Sequence, residues 1–356
     1  MIAKIYGWSW LSRFGLEPKV AAATLRSHGV TGVVVQNHLA PTPVSAVSQH
    51  GGPNGGVAFD HAFRDALNGE NLAYYEAFPV FLDTPYLFHH PGAAPRTHDG
   101  LRMVQEDWYL GLAPEYPGLV EWREAQMARI VAELEPDGVF LDWIRYPGFW
   151  EMWNPGERVA EYCCYGPVEG PPHDHPAPGT PEATEWRCEW IGAVVDRLAA
   201  AAARAAAARQ LPPPVIVANL VGIGANVVDN GAERLLGQRP SRLAVGADVV
   251  ATMAYHQVRG TDPYLEVIRS MAAATAGHDR PVWACIQATA VEPAIGPRIS
   301  PSGRVVTIDQ HEAAIAGAVD SGAQGLMVFH WERYLEAEAA GDHRWAEQLQ
   351  AFGATP

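Results

Sequence analysis

Asp137-Gly138-Val139-Phe140-Leu141-Asp142-Trp143-Ile144-Arg145-Tyr146-Pro147-Gly148 joins an apolar run to a polar, aromatic exit closed by Pro and Gly. Gly138 to Asp142 reads as a short buried strand, because an apolar run of this length bounded by turn residues fits a strand better than a helix. Side chains alternate along a strand, so Phe140 and Asp142 share one face while Val139 and Leu141 share the other. A carboxylate at the end of such a strand needs a partner or a task, since an unpaired buried charge is costly. Arg145 is the nearby cation that could pair with it and simply pin the loop.

The same pattern recurs on either side. Strands are expected over Ala3 to Trp8, Thr31 to Gln36, Tyr74 to Asp83, Val215 to Asn219, Asp248 to Tyr255, Pro281 to Gln287 and Gly325 to His330. Between them lie segments of helical character: Pro18 to His28, with Gly29 just past its end, Phe59 to Leu67, Gly118 to Leu134, Pro181 to Gln210, Asp262 to Ala276 and Asp309 to Ser321. Glu332 to Phe352 closes the chain. The Ala-rich helix of Pro181 to Gln210 has the highest intrinsic propensity and is stopped by Pro212-Pro213-Pro214. Strict alternation of strand and helix implies a parallel sheet. Eight such units in 356 residues, with no break in composition, predict an α/β fold: a single (β/α)8 TIM barrel spanning residues 1–356. Long loops follow strands two, three, four and seven, and in this fold those loops lie on the C-terminal face, where active sites form.

Composition sets the class of partner. A formal net charge of −15 excludes nucleic acid and anionic membranes as principal partners, because phosphate binding needs clustered Lys and Arg. No apolar run reaches the roughly 18 residues of a membrane span. The first residues show no basic start or apolar stretch of a leader, so a cytoplasmic location is expected, the alternative being secretion with the leader removed. Cys163, Cys164, Cys188 and Cys285 follow no zinc or disulfide spacing and read as reduced structural residues. The 12 Trp and 12 Tyr supply aromatic faces suited to sugar rings, or to core packing.

Barrel position then selects candidates. The strand ends present Trp8 and Trp10, Gln36 to His38, Asp83, Asp142 with Trp143 and Arg145, Asn219, Tyr255 with His256, Gln287, and His330 with Trp331 and Glu332. Polar and aromatic groups at every strand end suit a polyhydroxylated ligand. Trp8, Asn37, Trp108, Trp143, Arg145, Asn219, Tyr255, His256, His330 and Trp331 are therefore candidate substrate contacts.

Asp137 to Pro147 resembles the Asp-Gly-(Ile/Val)-x-x-Asp-x-Ile-Arg-Tyr-Pro segment of the glycosyl-hydrolase-like barrels, the GHL10 or DUF187-like group. More distantly it resembles the corresponding strand of glycoside hydrolase family 18. Leu110 to Leu134, Asp248 to Tyr255 and Ala323 to Trp331 agree with those families in order. The resemblance implies a glycoside hydrolase or transglycosidase acting on an oligosaccharide or glycoside. The family 18 general acid aligns with Ile144 and its middle Asp with Phe140, so only the Asp142 position is kept. Glycosidases use two carboxyl groups, about 5–5.5 Å apart for retention or about 6.5–9.5 Å for inversion. Asp142 is the first, and Asp83, then Glu332, then Asp107 are the candidates for the second. Asp83 also fits a helix cap within Asp-Thr-Pro, and Glu332 a first-turn helix residue.

Two other readings stay open: a saccharide-binding barrel without catalysis, motivated by the missing family 18 Glu, and a metal-dependent hydrolase using His173, His175 and His256. His173-Asp174-His175 has no third ligand at metal spacing, and strand one carries Trp8-Ser9-Trp10 where a barrel metallohydrolase is expected to have its two histidines. Gly222-Ile223-Gly224 lacks the remaining residues of a dinucleotide or phosphate loop. No cofactor and no metal are expected. The sequence does not set the oligomeric state.

Overall fold

The strand segments carry apolar side chains on both faces, and every residue of β2 (Gly32–Val35) and β4 (Gly138–Asp142) is buried. A strand is covered on both sides only when helices pack on one face and other strands, or the far wall of a barrel, on the other. The computed structural model describes residues 2–5, 16–36, 56–97, 99–103, 105, 110–148, 164–169, 180–222, 230–253, 256, 261–288, 306–329 and 331–353. Within them β1 (Ile2–Ile5), β2, β3 (Ala73–Pro79), β4, β5 (Val215–Val221), β6 (Val249–Met253), β7 (Val282–Gln287) and β8 (Gly325–Phe329) pair in parallel, each with the next. β8 pairs with β1, so the sheet is a closed barrel in sequence order. The fold is the expected (β/α)8 barrel.

The helices are α1 (Pro18–Ser27), α2 (Gly56–Gly69), α3 (Thr84–His89), α4 (Leu119–Leu134), α5 (Pro181–Ala208), α6 (Gly231–Arg234), α7 (Pro240–Gly246), α8 (Thr261–Thr275), α9 (Ile308–Asp320), α10 (Glu332–Ala339) and α11 (Arg344–Gly353). Their boundaries follow local chemistry. Thr180 caps α5 by accepting from the Ala183 N–H, and Thr307 with Gln310 forms a capping box on α9. None of the described helices is long and apolar enough to cross a membrane.

Alternation sorts the strand residues into two cores. Val33, Val139, Leu141, Ile216, Val250, Ile286 and Val328 face the helices. Val34, Tyr75, Phe140, Val217, Ala251, Cys285 and Met327 fill the barrel interior. The lower interior is closed by two large rings, Tyr75 and Trp283, meeting edge-to-face at 5.6 Å. Each ring needs a neighbour without a side chain. Gly138 stands beside Tyr75 and Gly325 beside Trp283 in register. A Cβ at those positions would fall 2.4 Å and 2.3 Å from ring atoms. The Gly of Asp137-Gly138 is thus a packing requirement of the barrel floor.

Several elements differ from the expected pattern, and β3 ends at Pro79 rather than Asp83. The loop after β3 contains α3, capped by Asp83. The closing helix is two, α10 and α11, separated at Gly341, whose φ of +80° favours glycine. β5 runs to Val221, two residues past the expected end, in register with Met253 of β6, and the Val221 N–H finds an acceptor on the Gln238 side chain.

Candidate active site

The upper rim of the interior is polar where the floor is aromatic. Asp142 follows Phe140 on the interior face and lies in register with Pro79 of β3. Leu141 registers with Ala218, which sets Asp142 beside Asn219 of β5. The Asn219 Nδ2 donates to Asp142 Oδ1 at 2.9 Å, and the Trp143 N–H donates to the same oxygen at 3.1 Å. Two donors on one oxygen fix the plane of the carboxylate. Asp142 is 6% exposed and Asn219 1%. Among the described residues nothing donates to Asn219 Oδ1.

The chain leaves β4 through an unusual conformation. Trp143 has φ +52°, the left-handed region that a bulky L residue enters at a cost of about 1–2 kcal/mol. Neighbouring bonds hold it there. Val80 N–H donates to Asp142 O at 2.8 Å, and Arg145 N–H donates to Trp143 O at 2.9 Å. The Arg145 guanidinium lies 4.7 Å from the Trp143 ring centroid, and its Nη1 donates to Gly148 O at 3.1 Å. Strain over-determined by its surroundings is a feature of functional positions.

Gln238, on the loop between α6 and α7, completes the rim. Its Oε1 accepts from Val221 N–H at 2.9 Å, and its Nε2 donates to Ile144 O at 3.1 Å and Asn219 O at 3.2 Å. No sequence pattern pointed to it, because its partners are backbone groups of β5 and of the segment after β4, far away in the chain. Glu115 was also missed, in a proline-flanked loop segment. It is buried, and after burial itself it is the next cause of a Tyr146 phenol held well above its ordinary value.

Two of the expected site residues are engaged elsewhere in the fold. Asp83 was expected to donate a proton, but its carboxylate serves the fold. Oδ1 accepts from the Tyr86 N–H at 3.0 Å and caps α3, while Oδ2 pairs with Arg123 Nη1 at 2.8 Å. Arg123 is fully buried and also ties down Val80 O at 2.6 Å. Both carboxylate oxygens are thus occupied by donors from the fold. Trp331 was expected as a sugar platform. It is instead completely buried in the outer core, with Nε1 donating to His28 Nδ1 at 3.1 Å, and offers no face to a ligand.

The remaining candidates divide. Glu332 is buried in the first turn of α10, directly after β8. His256 is buried beyond the end of β6, edge-on to Tyr264 at 5.7 Å, and burial lowers its pKa to about 4. Trp143, Arg145 and Asn219 gather around Asp142. Trp8, Asn37, Trp108, Asp107, Tyr255, His330, His173 and His175 lie outside the described residues. Among the described residues no group of three His, Cys, Asp or Glu side chains could hold a metal ion. Cys164, Cys188 and Cys285 are buried, and burial pushes the Cys188 thiol up to about 12.

No family model matches the chain, and no curated protein is similar to it in sequence. Solved structures share its fold. The glycoside hydrolase domain of PgaB (BpsB) from Bordetella bronchiseptica aligns over 96% of this chain and 98% of its own, at 14% identity and a TM-score of 0.61. The catalytic domain of beta-amylase from Paenibacillus polymyxa aligns over 99% and 98%, at 12% identity and a TM-score of 0.61. A beta-galactosidase from the haloarchaeon Halorubrum lacusprofundi aligns over all of this chain and 58% of its own, at 14% identity and a TM-score of 0.63. The chain is a (β/α)8 barrel whose structural neighbours include TIM-barrel glycoside hydrolases. At these identities the likeness establishes the fold and leaves the chemistry to the site.

Proposed function

We propose that the chain is a glycoside hydrolase, or a transglycosidase of the same chemistry, acting on an oligosaccharide or glycoside through Asp142. The observation that carries this reading is the Asp142 carboxylate at the interior mouth of β4, oriented by Asn219 and the Trp143 N–H at 2.9 and 3.1 Å. That position is where a (β/α)8 barrel places reacting groups. The likeness in fold to glycoside hydrolases agrees with this reading by analogy.

In this reading Asp142 attacks or stabilises the anomeric carbon as positive charge develops there. A second carboxylic acid protonates the leaving oxygen. With Asp83 engaged by Arg123, Glu332 takes that role. β8 stands diametrically opposite β4 in an eight-strand closed barrel, so the two acids would flank a sugar ring lying across the mouth. Trp143 supplies an aromatic face, and Asn219 Oδ1 an acceptor for a sugar hydroxyl.

The test is turnover on a panel of aryl glycosides and polysaccharides by wild type, Asp142→Asn and Glu332→Gln. The expected result is a loss of at least about 10³-fold in kcat for Asp142→Asn with an unchanged melting temperature. Glu332→Gln should lose less on aryl glycosides, whose leaving groups need little protonation, than on polysaccharides. Full activity of Asp142→Asn overturns the reading. Measurable glycan affinity without turnover by the wild type points instead to a saccharide-binding barrel, the alternative motivated by the missing family 18 Glu.

A further inference from the structure

Gln238 occupies the place of a missing piece of strand. In a parallel ladder, a residue on one strand accepts from and donates to residues two apart on its neighbour. β4 ends at Asp142 and turns away at Trp143, so it can no longer serve the upper part of β5. The Gln238 carboxamide does so instead, accepting from Val221 N–H at 2.9 Å and donating to Asn219 O at 3.2 Å. The same Nε2 donates to Ile144 O at 3.1 Å, two residues after Asp142. One side chain therefore joins the exit of β4 to the end of β5, across the Asp142–Asn219 contact.

The bracket is itself anchored. Leu236 O accepts from Tyr146 N–H at 3.0 Å, and Leu235 O from Arg187 Nη1 at 2.7 Å. Gly237 has φ +71°, and a Cβ there would sit 2.8 Å from Arg187 O, so only glycine fits where the loop turns Gln238 into the sheet. Gln238 is 1% exposed, and its amide is satisfied on both atoms.

We propose that Gln238 is a positioning residue for the Asp142 carboxylate, acting through Asn219: it replaces the ladder bonds that β4 gives up at Trp143 and so holds the Asn219 amide against Asp142 Oδ1. This rests on the reading of Asp142 as the reacting carboxylate. Without Gln238, the top of β5 loses its partner on that side and the Asn219 donor loosens. A carboxylate that loses a donor binds its proton more tightly.

The decisive variant is Gln238→Met, which keeps the volume and removes both functions of the amide. On the best aryl glycoside of the panel, kcat should fall about 10- to 100-fold, the loss expected for a misplacement of about 1 Å, with KM within about threefold. The acid limb of kcat/KM should move up by about one pH unit. The 13C NMR titration of the Asp142 carboxyl, assigned by its disappearance in Asp142→Asn, should show the same displacement without any substrate. Asp248→Ala is the control. It removes the bond from Ile216 N–H to Asp248 Oδ2, 2.9 Å, at the opposite end of β5. It should lower stability while leaving kcat and the acid limb in place.

If Gln238→Met does not fold, Gln238→Glu decides. Its neutral acid can accept from the Val221 N–H and donate one of the two hydrogen bonds that the amide donates, whereas its carboxylate cannot donate. Activity and the Asp142 titration should then approach wild type at low pH and depart as pH rises. An unaltered acid limb and carboxyl titration in a folded Gln238→Met overturns the proposal. Turnover surviving in Asp142→Asn overturns the glycosidase reading instead, so the two failures are distinct.

Discussion

Mild acid should weaken this barrel through two histidines packed beside β6 and β7. His256 is 5% exposed, and among the described residues neither ring nitrogen has a hydrogen-bond partner. Burial lowers its pKa to about 4. His311, in the first turn of α9, is fully buried, bonded through Nε2 to the Tyr334 hydroxyl and edge-on to Trp345 at 5.0 Å. Burial first, and then the neighbouring His256, bring it to about 3. Among the described residues, the groups facing the pair include the phenols of Tyr264 and Tyr334, both raised by burial, and near Tyr264 the thiol of Cys285. None of them offers a negative charge at neutral pH to accommodate an imidazolium.

In the unfolded chain both histidines titrate near about 6.5. Between that value and the folded pKa the unfolded state holds a proton that the folded state refuses, so stability falls as pH falls. Each such proton is worth about 1.4 kcal/mol per pH unit. His256 alone therefore removes about 3 kcal/mol between pH 6.5 and its folded value of about 4, and nothing further below it. His311 adds a comparable amount over the same span. Together they approach the roughly 5–15 kcal/mol total stability of a domain. The measurement is urea unfolding at pH 7.5, 6.0 and 5.0, a window above most carboxylate titrations. His256→Leu, close in volume, should remain within about 1 kcal/mol of wild type at pH 7.5 and should reduce the drop from 7.5 to 5.0 by about 2 kcal/mol. A variant that keeps the whole acid sensitivity of the wild type would falsify the assignment of that loss to a buried neutral His256.

Two further outcomes can be checked by mutation. Arg123→Met should destabilise by about 3–5 kcal/mol in urea unfolding, because it strands the buried Asp83 carboxylate, and adding Asp83→Asn should recover part of that loss. Trp143→Gly relieves a left-handed backbone worth about 1–2 kcal/mol but removes the Arg145 stacking contact, worth about as much, so stability should change by less than about 1 kcal/mol. Turnover of the same variant should fall about tenfold or more if the ring carries a sugar face, and an unchanged KM and kcat would remove Trp143 from the site.

Much of the architecture was legible in local pattern. The strand of Gly138 to Asp142 has the expected limits, and the alternation that placed Phe140 and Asp142 on one face is what puts Asp142 at the interior rim. Pro18 and Gly29 bound α1 as their backbone preferences require. The break between α10 and α11 was less visible, because the segment is rich in Ala and Glu and a single glycine does not always end a helix. Of the candidate site, strand order put Asp142 and Asn219 at the ends of neighbouring strands, whereas the bond between them and the contacts of Asp83 and Trp331 depend on neighbours that only the fold brings together.

The sequence by itself determined periodicity, and through it the closed barrel and the strand end on which Asp142 stands, since both depend on which residues alternate and where glycine and proline interrupt them. Only the tertiary structure decided what each polar side chain is occupied with. Arg123 lies 40 residues from Asp83, and Gln238 lies 94 from Ile144, so the contacts that assign one carboxylate to the fold and bracket another at the rim exist only once the barrel has closed.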